Sequence, residues 1–324
     1  MKLTPGKLQG MKNVSNANGV IAAAAMDQRG SLKKALGTRA TDEGLTEFKK
    51  YVTEVLTQHA SAILLDPEWG LEPSKHRAKG SGLLLAYEKT GYDAKVSGRL
   101  PDLLDVWSVR RLKEAGADCV KILLYYSPFD DAKINDHKHA WTERIGDECR
   151  ANDIPFFLEL IGYKEGLEDK GPEFAALKPK VVADSMREFS KDRYGVDVLK
   201  VEIPVNLQYT EGAKSFKGPK VFTKAEALEH YRAAAFATDK PFIYLSAGVS
   251  NAEFIENLEF AKEAGVKFNG VLCGRATWKD GIPIFAEKGG AAFDAWLKDE
   301  GVKNIENVNN ALKAATSWFS IYGV

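Results

Sequence analysis

The chain has 324 residues, and its 45 lysines and arginines balance its 45 aspartates and glutamates. Zero net charge gives no overall electrostatic case for nucleic acid or an anionic membrane surface, so any anion site must be local. No stretch approaches the roughly 18 apolar residues of a membrane span, and Cys119, Cys149 and Cys273 are spaced as reduced core thiols rather than as a disulfide framework.

Residues 1–19 are polar and rich in Gly, Asn and Lys, with no apolar leader core, which with the cysteine usage reads as a cytoplasmic protein. Strand-like runs follow at residues 19–26, 62–65, 82–86, 119–125, 155–161, 196–202, 241–246 and 270–273. Between them lie amphipathic helical patterns near 45–60, 101–116, 135–151, 179–194, 223–238 and 250–264, and two more fit near 283–299 and 303–319. Asp102 and Thr223 read as helix caps, the latter with Glu226 in capping-box spacing. The stretch between the third strand and Leu100 is irregular. Eight strands alternating with helices predict an α/β protein, a (β/α)8 TIM barrel with extra C-terminal helices spanning 1–324 as one domain, rather than an open doubly wound sheet. The long polar, glycine-rich connections 66–81, 162–178 and 206–222 each follow the C-terminal end of a strand, where barrel enzymes build their sites.

The run Val196-Asp-Val-Leu-Lys200-Val-Glu-Ile-Pro204 holds a lysine in an otherwise apolar, β-branched stretch. A barrel strand is buried on both faces, where an ammonium group is costly unless paired or neutralised. The anomaly recurs at Lys121 in Ala117-Asp-Cys-Val-Lys-Ile-Leu-Leu-Tyr-Tyr126 and at Glu159 in Ile154-Pro-Phe-Phe-Leu-Glu-Leu-Ile161. Because side chains alternate, Lys200 shares a face with Glu202, Lys121 with Cys119 and Leu123, and Glu159 with Phe157 and Ile161. With those faces inward, three charged groups converge, and burial beside the positive charge of Lys121 favours the free amine at Lys200. Amine catalysis on a carbonyl is one reading of this trio; a buried Lys–Glu pair that holds the barrel together is the other.

Polar residues also gather where other strands end. Leu245-Ser-Ala-Gly-Val-Ser250 and Gly270-Val-Leu-Cys-Gly-Arg-Ala-Thr277 each carry a glycine that lets backbone N–H groups approach a ligand, and the second adds Arg275. Loops after the seventh and eighth strands of such barrels commonly bind phosphate, which points to a phosphorylated substrate, although glycines there also suit ordinary turns. In Met26-Asp-Gln-Arg-Gly30, Asp27 can orient hydroxyls and Gln28 or Arg29 can touch phosphate, or the segment is a capped turn. Asp66 and Glu68 fit either the rim of a site or a cap. None of His59, His76, His137, His139 and His230 lies at a strand end, and His137-Asp-His139 sits in a polar segment that reads as solvated, so no metal is expected. No GxGxxG or P-loop pattern occurs, so no nucleotide cofactor is expected either. Trp69, Trp107 and Trp278 read as packing.

Long runs stand in order along the chain: Ala25-Met-Asp-Gln-Arg-Gly30, Ile63-Leu-Leu-Asp-Pro-Glu-Trp-Gly70, Gly82-Leu-Leu-Leu-Ala-Tyr-Glu-Lys-Thr-Gly-Tyr-Asp93 and Gly98-Arg-Leu-Pro-Asp102. Val120-Lys-Ile-Leu-Leu-Tyr-Tyr126, Ile154-Pro-Phe-Phe-Leu-Glu159, Val196 to Asn206, Tyr244 to Ser250 and Gly270 to Trp278 continue them. With these runs the chain closely resembles, over nearly its whole length, the bacterial tagatose-1,6-bisphosphate aldolases of the class I, metal-independent type. The resemblance implies that Lys200 is the Schiff-base lysine, Glu159 the proton shuttle, and Lys121 and Asp27 the groups facing the substrate's hydroxyls. It also implies that Gln28, Ser246, Gly248, Gly274 and Arg275 hold a phosphate. No cofactor or metal is implied; the partner is a sugar phosphate, with neither nucleic acid nor membrane, and a homo-oligomer is compatible. The chain departs from the family in its N-terminal tail and in loops 66–81, 162–178 and 206–222, which shape the sugar pocket. Another ketose phosphate, such as fructose 1,6-bisphosphate or a sulfosugar phosphate, therefore stays open as the substrate. The rivals are a non-catalytic phosphosugar sensor on the same scaffold and a metal-dependent aldolase or isomerase.

Overall fold

The computed structural model describes residues 2–89 and 96–324, so Thr90 to Asp93 of the third matched run lie outside the described residues. The eight strand-like runs become eight parallel strands: β1 (Ile21–Ala25), β2 (Ala62–Leu65), β3 (Gly82–Ala86), β4 (Cys119–Tyr126), β5 (Phe156–Gly162), β6 (Val198–Val201), β7 (Phe242–Leu245) and β8 (Gly270–Cys273). Each pairs with its neighbours in chain order, and β8 returns to β1 with Val271 opposite Ala22, closing a (β/α)8 barrel. Gly270 begins β8 at φ +136°, and a Cβ there would lie 2.0 Å from the Ile21 carbonyl, so only glycine lets the last strand meet the first.

Strand alternation divides the core in two. Ile21, Ala23, Leu64, Leu84, Phe157, Ile243 and Leu272 fill the barrel interior. The opposite faces pack beneath the helices, where Phe48 of helix Asp42–Leu56 stacks on Phe293 with centroids 4.3 Å apart and meets Trp278 edge-on. The extra C-terminal helices form as Ile282–Lys288, Gly290–Trp296 and Val302–Ala311, interrupted where Gly289 takes φ +84°. Among the described residues no helix is long and apolar enough to cross a membrane.

Several local expectations need correction. Residues 1–19 are not a bare polar tail: Pro5–Asn13 is a helix whose Met11, with the following Val14, seals the bottom of the barrel interior. The contact is made close by Gly10, where a Cβ would lie 2.4 Å from the Asp118 carbonyl, so the packing leaves little apolar periodicity to read. Trp318 and Tyr322 close the same end from the C-terminus, through bonds to Ser15 Oγ (2.7 Å) and the Asp197 carbonyl (2.6 Å). Asp102 does not cap a helix; it pairs with Lys89 at 2.9 Å, and the helix Val109–Glu114 is capped by Ser108. The helix read as 179–194 runs from Pro172 to Phe189, because Pro172 suits its first turn and Pro179 is accommodated inside it. Thr223 forms the expected capping box, and Thr210–Glu211 pairs with Phe222–Thr223 across the connection read as polar and glycine-rich. His139 is not solvated: its Nε2 lies 3.1 Å from the Tyr126 hydroxyl and its ring packs on Phe189.

Candidate active site

On five of the strands the inward track passes from the apolar floor to an ionisable group. On β1 the order is Ile21, Ala23, Ala25 and then Asp27; on β3 it is Leu84, Ala86 and then Glu88; on β4, β5 and β6, Cys119, Phe157 and Val198 are followed by Lys121, Glu159 and Lys200. The register sets Ala86 beside Lys121 and Glu159 beside Lys200. Five ionisable side chains thus converge on one layer at the C-terminal end of the barrel.

Glu159 is its centre. One carboxylate oxygen, Oε2, lies 2.7 Å from Lys121 Nζ and 2.9 Å from Lys200 Nζ. Lys121 also donates to Asp27 Oδ2 at 2.8 Å and to Glu88 Oε1 at 2.9 Å. Burial alone would discharge Lys121, but Asp27, Glu159 and Glu88 outweigh it and hold its ammonium well above the ordinary lysine value. Burial likewise opposes the Asp27 carboxylate, yet the charges of Lys121, Lys200 and Arg29 hold it well below the usual range. For Glu88 burial prevails over Lys121 and Arg29, and its carboxyl is pushed up. The sequence reading set the two lysines side by side; the structure interposes Glu159 between them, so Lys200 faces a carboxylate as its nearest charge.

Above this layer opens a cleft of about 880 Å³, lined by Asp27, Gln28, Glu159, Lys200, Ser246, Gly248, Gly274 and Arg275. All the expected site residues except Lys121 reach it; Lys121 lies just beneath, with no exposed surface. Gly248 has φ +78°, and a Cβ there would lie 2.8 Å from Arg275 Cζ, so the glycine is the seat of the guanidinium. A Cβ on Gly274 would sit 3.2 Å from Gln28 Nε2, so the turns after β7 and β8 meet the end of β1 in one wall. Lys279 reaches the same wall, donating to the Gly248 carbonyl at 3.1 Å.

Glu88 is the site residue that the sequence reading missed, and its signal was its inward parity with Leu84 and Ala86. Arg29, one of two candidates to touch phosphate, instead joins Glu88 (Oε1 3.4 Å, carbonyl 2.7 Å) to Glu68 (2.9 Å). Asp66 is buried off the cleft, where it accepts the N–H groups of Glu68 and Trp69 at 3.0 and 2.9 Å. Glu202 shares the face of Lys200 as expected, and is held by Lys178 at 3.1 Å and by the Gly162 N–H at 2.7 Å. All three cysteines are buried and free, with burial pushing the Cys273 thiol up to about 12.

A barrel that gathers lysines and carboxylates at the C-terminal ends of its strands is built as an enzyme of that fold, and residues 21–280 match the family model described as DeoC/LacD family aldolase. The chain belongs to this aldolase family. Among its relatives, the Enterococcus faecalis protein named tagatose 1,6-diphosphate aldolase 2 is 53% identical over 323 residues, covering 98% of this chain and 97% of the relative. The Streptococcus pyogenes protein of the same name is 52% identical, with 98% of each chain covered. The Staphylococcus aureus tagatose 1,6-diphosphate aldolase is also 52% identical, covering 96% of this chain and 97% of its own. A fructose-bisphosphate aldolase from Plasmodium falciparum, solved with TRAP and a small-molecule inhibitor, superposes with a TM-score of 0.62 over 100% of this chain and 97% of its own. At 16% identity, that likeness speaks for the fold alone.

Proposed function

We propose that this aldolase reversibly cleaves D-tagatose 1,6-bisphosphate to dihydroxyacetone phosphate and D-glyceraldehyde 3-phosphate through an imine on Lys200. The observation that carries the reading is the position of Glu159 Oε2, 2.9 Å from Lys200 Nζ at the base of a cleft whose wall holds Arg275 and the glycine turns. The names of the full-length relatives support the substrate.

Lys200 adds to the C2 ketone, Glu159 passes the protons that the nitrogen gives up to the C2 oxygen, and that oxygen leaves as water, so a cationic imine remains and Glu159 is again a carboxylate. That cation is the electron sink. Removal of the C4 hydroxyl proton by Glu159 breaks the C3–C4 bond, frees the aldehyde and leaves an enamine on Lys200. The same carboxylic acid returns its proton to C3, and hydrolysis releases the ketone. Lys121 works as a fixed positive charge behind Glu159 and Asp27, since its three carboxylates keep it protonated. Asp27 faces the substrate's hydroxyls, while Arg275, Gln28, Ser246 and the amides near Gly248 and Gly274 hold one phosphate, so binding at a non-reacting group sets the ketone over the amine.

The test is product analysis with the 1,6-bisphosphates of tagatose, fructose, sorbose and psicose. Tagatose 1,6-bisphosphate should give the two triose phosphates. Failure to cleave it while another ketose bisphosphate is turned over would reassign the substrate, and no cleavage of any would favour a sensor.

A further inference from the structure

Lys49 projects from the helix Asp42–Leu56 into the protein with no exposed surface. Its Nζ donates to the Met26 carbonyl at 2.8 Å, to the Gln28 carbonyl at 2.9 Å and to the equally buried Asp66 carboxylate. Asp66 Oδ1 in turn accepts from the backbone N–H groups of Glu68 and Trp69. One ammonium therefore grips the peptide on both sides of Asp27, and an anion fixed to the next strand's loop anchors that ammonium. Neither side chain lines the cleft.

Stability is a weak reason for such a pair, because desolvating two ions offsets much of their attraction and apolar replacements are often neutral or better. Geometry offers a stronger one. All three ammonium hydrogens are spent, two of them on the carbonyls that flank a single residue, and that residue presents its carboxylate to Lys121 at 2.8 Å. We propose that Lys49, anchored by Asp66, is a positioning residue that sets the peptide of residues 26–28, and with it Asp27 and Gln28, against the substrate. This rests on the reading of Asp27 and Gln28 given above. Freed of the clamp, the two carbonyls lose their donor and the segment can rotate. Lys200 and Glu159, seated on β6 and β5, do not depend on it.

The test uses K49M/D66N and D66N in the full chain. The double substitution removes both charges, leaving no unpaired ion, while the asparagine oxygen can still accept from the Glu68 and Trp69 N–H groups. Borohydride with saturating dihydroxyacetone phosphate labels Lys200 and so counts competent sites, and cleavage of tagatose 1,6-bisphosphate is expressed per labelled site. Turnover per labelled site should fall by about 10- to 100-fold in the double variant, the scale of lost outer-shell support, and by less in D66N. Turnover per labelled site equal to wild type, in whichever variant folds, overturns the proposal even if fewer sites form. So does loss of labelling in a variant with unchanged circular dichroism, since the clamp is held to leave Lys200 alone. Wild-type protein that neither labels at Lys200 nor cleaves the sugar contradicts the underlying aldolase reading instead.

Discussion

Glu159 touches both lysines through one oxygen, so its two proposed duties can be separated from the chemistry of Lys200. Glu159→Gln keeps the shape and removes the titrating group. It should still form the borohydride-trapped adduct while turnover falls by something on the order of 10²- to 10⁴-fold; wild-type turnover would make Glu159 structural. Arg275→Ala removes a charge-assisted contact worth roughly 1.5–3 kcal/mol to the bound phosphate, or about a 10- to 150-fold loss in kcat/KM. We take the phosphate at Arg275 to be the C1 phosphate, so a ketose without it has nothing there to lose and should be nearly indifferent; equal losses for both substrates would assign Arg275 to the fold. Asp27 offers a test by pH. Its folded carboxyl is held below the ordinary value, so it contributes stability above that value, and the contribution is lost as pH falls below about 4. The stability difference between wild type and D27N should therefore narrow between about pH 5 and about pH 2, measured by denaturant unfolding; a gap that widens there would contradict the charge assignment.

Elements divide the molecule into a working end and a supporting end. The strand tracks carry Asp27, Glu88, Lys121, Glu159 and Lys200 toward one end, while Pro5–Asn13, Trp318 and Tyr322 close the other. Gly10→Ala forces a methyl group into the Asp118 carbonyl and the Pro155 ring, so it should destabilise by about 1–3 kcal/mol. Turnover per labelled site should stay at the wild-type value, because the damage is at the far end; a selective loss of turnover with unchanged stability would contradict this division. The strands were legible because a lysine or glutamate inside a β-branched run has few interpretations, and parity then fixed its face. Asp27 was legible as a polar residue at a strand end. Glu88 was not, since it stands two residues past β3 beside an irregular stretch. Lys49 was hidden for a different reason: a lysine on an amphipathic helix ordinarily faces water, and only the fold reveals the two carbonyls and the carboxylate waiting for it.

At the scale of the whole molecule, closure of the barrel turns linear spacing into a site. Asp27 and Glu159 are far apart in sequence yet meet the same ammonium, and Gln28 joins the turns after β7 and β8 because β8 pairs with β1. The sequence predicted this convergence from eight alternating runs, but it did not show which groups would stand between others. That is why the carboxylate separating the two lysines emerged only in three dimensions. The central claim is that Lys200 is the nucleophile. Treatment with borohydride and dihydroxyacetone phosphate, followed by peptide mapping, should inactivate the protein and place the adduct on Lys200, with activity before trapping insensitive to prolonged EDTA. An adduct on Lys121 alone, or full turnover of the bisphosphate with no adduct at all, would contradict the account.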